Sequence, residues 1–149
     1  MPINILSISH KEALYILEAI LEKASCDSGA PVAISVVDAT AKLIAFIAMD
    51  GVAPASIRLS QSKAYSAVIG QKDTAHWAMM PEKIKHFDMR NWTDEYFTGF
   101  AGGIALTSSG QVIGGIGISG RKGKMSETDE IMQDSELGKY GESQLHQIQ

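Results

Sequence analysis

The sequence predicts an α+β domain built on two antiparallel β-hairpins with helices packed against them. Two pairs of strand-length apolar runs, each joined by a short turn, predict the hairpins, and apolar residues at three- and four-residue spacing behind a capping signal predict the first helix. Bulk properties agree. A chain of 149 residues, 45% hydrophobic and 20% charged, suffices for a single domain over residues 1–149 whose core needs neither disulfide nor metal.

The first helix should start at His10, because Ser9-His10-Lys11-Glu12 is a capping box whose hydroxyl and carboxylate satisfy two backbone donors reciprocally. Leu14, Leu17, Leu21 and Ala24, backed by Ala13 and Ile20, form its apolar stripe, and Ser28-Gly29-Ala30-Pro31 stops it. Residues 32–37 and 43–49 read as strands around the turn Asp38-Ala39-Thr40-Ala41-Lys42. Apart from Ser35 both are apolar on both faces, which predicts a hairpin central in the sheet and covered on each side. After Asp50-Gly51 a second helix is expected over residues 57–69, with Ser56 as N-cap and Gly70 in the left-handed position at its end. Asp73 or Thr74 caps a short third helix that ends before Pro81.

Residues 86–100 concentrate Phe87, Trp92, Tyr96, Phe97 and Phe100 among polar residues, which predicts either a lid over a pocket or a docking surface. Strands follow over residues 103–107 and 111–119, with Gly110 supplying the positive φ of the turn between them. A final helix is expected from near Ser126, where Ser126 and Asp129 make a second capping-box-like pair. Gly138 and Gly141 predict a weak end to it.

A net charge of −4 with scattered Lys and Arg leaves no basic footprint for nucleic acid. Cys26 stands alone, which fits a reducing compartment. With no charged segment leading an apolar one and no apolar run approaching about 18 residues, the expectation is a cytoplasmic protein without a membrane segment. The sequon Asn91-Trp92-Thr93 has no consequence in that setting. Gly115-Ile116-Gly117-Ile118-Ser119-Gly120 spells G-x-G-x-x-G, but its glycines alternate with isoleucine inside a strand and no second parallel strand follows, so no NAD site is expected. Ser60-Gln61-Ser62-Lys63 matches S-x-x-K without the companion segments of acyl-transfer enzymes. The four histidines show no zinc spacing and no cysteine partners, so neither structural zinc nor another metal centre is expected. One axial haem ligand needs no spacing, which makes His76 and His86 candidates beside the aromatic segment. Gly120-Arg121-Lys122-Gly123-Lys124 joins flexible backbone donors to three cations, an arrangement that suits carboxylates or phosphates.

Val36-Val37-Asp38, Met49-Asp50-Gly51, Pro54-Ala55-Ser56-Ile57, Ser62-Lys63-Ala64, Gly102-Gly103-Ile104 and Gly110 through Gly120 occur in an order and spacing that resembles the GlcG/HbpS-type haem-binding family. The likeness covers most of the chain. It implies a sheet of about five antiparallel strands flanked by helices in a profilin-like layered architecture, assembly into homo-oligomers, and a role linked to haem or other tetrapyrroles. Similar domains are appended to cobalamin adenosyltransferases. Thr40 and Ala41 replace the glycine usual in the first hairpin turn of such proteins. Phe100-Ala101-Gly102-Gly103 stands in place of a Pro-Gly-Gly, behind the aromatic insert.

The expected function is therefore small-molecule binding, with haem as cofactor or ligand. Its flat face would lie against Gly115 and Gly117, its carboxylates would meet Lys63, Arg121 or Lys122, and His76 or His86 would reach the metal. An accessory catabolic enzyme moving a proton on an organic acid between Asp38 and a histidine is the rival. A docking module that uses the aromatic insert is a third reading. Whether the chain catalyses a reaction stays open at this stage.

Overall fold

The computed structural model describes residues 1–80, 93–123 and 130–149. His86, the capping pair Ser126–Asp129 and the first part of the aromatic insert lie outside them. Four strands form one antiparallel sheet among the described residues: β1 (Ala33–Asp38), β2 (Leu43–Ala48), β3 (Gly103–Ser108) and β4 (Gln111–Ser119), in the order β2-β1-β4-β3. That is one strand fewer than the resemblance implies.

Residue alternation along the central strands decides which helix covers which face. Ile34 and Val36 of β1 and Ile116 and Ile118 of β4 point into the main core. There they meet α1 (His10–Ser25) through Ile16 and Ile20, and the C-terminal helix α4 (Asp134–Ile148) through Leu137 and Leu145. On the opposite face Val37 packs with Ala64 and Val68 of α2 (Pro54–Ile69), so helices sandwich the sheet. Ser35, the polar exception in β1, faces this second layer and lies 2.8 Å from the hydroxyl of Ser60 on α2, both fully buried. A hydroxyl pair satisfies there what an isolated serine would leave orphaned.

Several local expectations hold. Ser9 and Glu12 make the reciprocal capping box of α1, and Gly110 turns the second hairpin at φ 76°. Others are corrected. Leu14 is exposed while Ile16 is buried, because a helix lying on a sheet hides a stripe only about 100° wide and this one is rotated off Leu14. Only β1 of the first hairpin is buried on both faces. β2 is an edge strand, with Leu43 43% and Phe46 36% exposed. The second helix begins at Pro54 behind an Ala53 N-cap, and proline suits that first turn because it lacks the N–H that would go unpaired. Gly70 is right-handed at φ −82°, and the positive φ falls one residue later on Gln71 at 58°.

The described C-terminal helix starts at Asp134, where Gln133 and Glu136 form the capping box. Its glycines are contact points. A Cβ on Gly138 would fall 2.5 Å from Ile104 Cγ1, and one on Gly141 2.5 Å from Ile20 Cδ1, so their smallness lets α4 lie close on β3 and α1. The short α3 (Ala75–Ala78) is tied to the sheet by Thr74, whose Oγ1 accepts from Gly103 N at 2.8 Å rather than capping its own helix.

Candidate functional site

The outer side of α2 is flanked by two clefts, and residues 93–102 cross between them. This strap is held down where Tyr65 donates to Asp94 Oδ2 (2.6 Å) and where Thr98 N donates to Ser66 Oγ (2.8 Å). Tyr96 lines one cleft; Phe100 and Ala101 line the other.

The first cleft encloses about 530 Å³ between α2 and the first hairpin, within the ~300–1,000 Å³ usual for small-molecule sites. Val37, Leu43 and Ile57 make it apolar. Tyr65 and Tyr96 stand edge-to-face beside it at 6.0 Å and 70°, and the exposed Arg58 supplies a cation. The Asp94 carboxylate, together with burial, pushes the Tyr65 phenol up to about 12, so it stays protonated and donating at neutral pH.

The second cleft, about 390 Å³, lies between α2, the strap and the end of β4. Lys63, Arg121 and Lys122, three cations that the sequence reading selects from distant segments, all line it. Two of them are already committed. Lys63 is 3% exposed and its ammonium donates to Ile118 O (2.8 Å) and Asp134 Oδ2 (3.1 Å). Burial pulls the Lys63 amine down from its ordinary value, with the Asp134 carboxylate opposing. Arg121 donates from Nη1 to Asp27 Oδ1 (2.7 Å) and from Nη2 to Ala24 O (3.0 Å), while its backbone N–H donates to Asp134 Oδ1 (3.0 Å). Burial works against ionisation of Asp27, but the bonds from Arg121 and Gly29 outweigh it and hold the carboxyl below its ordinary value. Lys122 alone of the three is exposed.

The remaining sequence candidates separate from this group. Gly115 and Gly117 lie under α2. A Cβ on Gly115 would fall 2.7 Å from Ala64 O, and one on Gly117 would collide with Ser60 O, so the helix backbone occupies the space where a ligand's flat face was expected. His76 is exposed on α3, its ring edge-on to Trp77 at 5.0 Å, and lines neither cleft. Asp38 of the rival acid–base reading accepts from Thr40 N, Thr40 Oγ1 and Lys42 N. Burial opposes its charge, yet those donors lower its pKa and make it the anchor of the hairpin turn. Ser60 and Lys63 of the S-x-x-K pattern have separate partners, since Ser60 donates to Ile57 O. Among the described residues no three His, Cys, Asp or Glu cluster as metal ligands, and no helix is long and apolar enough to cross a membrane. Sequence reasoning missed Asp134, Asp27, Arg58, Tyr65 and Asp94, whose roles depend on partners far away along the chain.

The model of the family described as haem-degrading protein HbpS-like matches residues 8–133. The chain belongs to the HbpS-like family. Protein GlcG of Escherichia coli strain K12 is 32% identical over 88 residues, which span 59% of this chain and 63% of GlcG, under two thirds of that relative's length. Among solved structures, PduOC in complex with haem superposes with a TM-score of 0.78 at 24% identity, covering 93% of this chain and 95% of that one. A double mutant of HbpS from Streptomyces reticuli gives 0.77 at 22% identity, covering 95% and 89%. These likenesses show that the layered fold described above is the HbpS-like fold.

Proposed function

We propose that the protein binds haem or a related tetrapyrrole and does so as a homo-oligomer. The observation that carries this reading is the apolar cleft beside Tyr65 and Tyr96 in a chain of the HbpS-like family. A macrocycle needs an apolar slot with an aromatic wall and a cation for its carboxylates. Val37, Leu43 and Ile57 supply the first, the tyrosine pair the second and Arg58 the third. PduOC, whose structure holds haem, shares the fold and supports the ligand class. Oligomerisation is supported by the exposed apolar edge strand β2.

Haem added to the full chain at stoichiometric concentration should shift its Soret band. Arg58→Glu and Tyr96→Ala should each weaken binding about tenfold, equivalent to roughly 1.4 kcal/mol. A Soret band identical to that of free haem would overturn the reading. The band of His76→Ala then reports whether that imidazole reaches the iron.

A further inference from the structure

The Lys63 cleft is separate from the tyrosine slot, and haem binding makes no use of its central group. Lys63 lies in the wall of a cavity of about 390 Å³, which suits an acid of a few carbons better than a macrocycle. Its amine meets two acceptors, Ile118 O at 2.8 Å and Asp134 Oδ2 at 3.1 Å. Two acceptors take two of the three N–H donors of the ammonium, and the third has no acceptor among the described residues. Gly102, at φ +125°, packs over the first of these bonds: a Cβ there would fall 2.5 Å from Ile118 O and 2.9 Å from Nζ, so a side chain at this position would displace the amine from its place in the cleft wall. Ser56, Ser119 and the exposed Lys122 complete a polar lining, and Lys122 has no ion-pair partner among the described residues.

We propose that this cleft captures a small 2-oxo acid covalently, the Lys63 amine condensing with its ketone carbon while Lys122 meets its carboxylate. Asp134 accepts the proton that leaves the Lys63 ammonium. The nitrogen lone pair then forms the bond to the carbonyl carbon as the C=O π pair moves to oxygen. One nitrogen proton passes to that oxygen, Asp134 returns the proton it took, the oxygen leaves as water, and a protonated C=N bond joins ligand to lysine. One ketone and one ammonium give one iminium and one water, with no change of oxidation state. Burial, by lowering the amine's basicity, favours the neutral nucleophile that this attack requires.

The probe is pyruvate, incubated with the full chain and trapped with cyanoborohydride, with adducts located by intact mass and peptide mapping. The expected result is one dominant addition, on the peptide that carries Lys63, saturating with pyruvate concentration. Lys63→Arg, which keeps the charge beside Asp134, should abolish that addition. Lys122→Gln should raise the half-saturating pyruvate concentration about tenfold and leave acetone labelling unchanged. Mapping of the unaltered protein needs no variant to fold. Absence of an adduct, or additions spread over exposed lysines such as Lys11, Lys42 and Lys72, would overturn the proposal. Haem binding in the tyrosine slot is read by a different signal and survives either outcome.

Discussion

At the level of single residues, the second cleft is organised by two ion pairs that differ in burial. The Arg121 side chain is 1% exposed against an Asp27 side chain 22% exposed, and the pair ties the end of β4 to the turn after α1. Removing the guanidinium takes the Nη2 donor from the Ala24 carbonyl and leaves the half-buried Asp27 carboxylate with backbone donors such as Gly29 N but no countercharge from Arg121. Arg121→Met should therefore cost about 1–3 kcal/mol, discounted from the value for fully buried pairs because water reaches Asp27. Urea denaturation measures it. The pH dependence follows from the depressed pKa of Asp27. Between the folded value and the unfolded value of 3.8 the unfolded chain binds more protons. The pair's contribution is thus complete above that unfolded value and is lost as the pH falls through the folded one. In Arg121→Met the part of the acid-induced loss due to Asp27 should shrink. Neither pair was legible in the sequence, because Asp134 lies 71 positions from Lys63 and Asp27 lies 94 from Arg121. The cations themselves were legible, Lys63 through the S-x-x-K pattern and Arg121 and Lys122 through the cationic run that follows the glycine-rich strand.

Among the elements, α2 shows why some features could be read from sequence and others not. The Ile/Gly alternation of β4 was visible, and it identified a strand. Which layer the glycines face was not, because alternation assigns two faces without saying what covers them. The structure puts α2 against Gly115 and Gly117 and puts isoleucines into the α1–α4 core. Gly117→Ala should accordingly cost about 3 kcal/mol, the upper end for overpacking, since the methyl must displace the α2 backbone at Ser60 and Ala64. Gly110→Ala is the contrasting case: the added Cβ meets nothing within 4 Å, and the cost is the left-handed backbone alone, about 1 kcal/mol. Equal losses in the two variants on chemical denaturation would contradict this account of how α2 is seated. The hairpins and the capping box of α1 were readable because each is a local signal. The start of α2 was misplaced because Pro54 and Ser56 both signal a helix start, and proline took the first-turn position.

Across the whole molecule, the two edges of the sheet are treated differently. The outer edge of β3 is closed by the segment leading into α3: Gly103 N donates to Thr74 Oγ1, Thr74 N to Gly103 O and Ala105 N to Asp73 Oδ1. Such capping is how folded proteins blunt a strand edge that would otherwise pair with another chain. The outer edge of β2 carries no equivalent among the described residues, and the strand presents Leu43 and Phe46 to solvent. An open edge with apolar side chains is self-complementary in a two-fold arrangement, where each copy offers the same strand to the other. The proposed homo-oligomer should therefore form through β2, burying Phe46 against its equivalent. By sedimentation velocity the unaltered chain should run as a dimer or larger. Phe46→Glu, which sets like charges together across the axis and leaves the protomer core untouched, should run as a monomer with a circular dichroism spectrum unchanged. A monomeric unaltered chain, or an assembly indifferent to Phe46→Glu, would exclude β2 as the contact. Because Leu43 also lines the tyrosine cleft, assembly through this edge would sit beside the proposed tetrapyrrole slot, and haem should shift the sedimentation of the unaltered chain more than that of the variant.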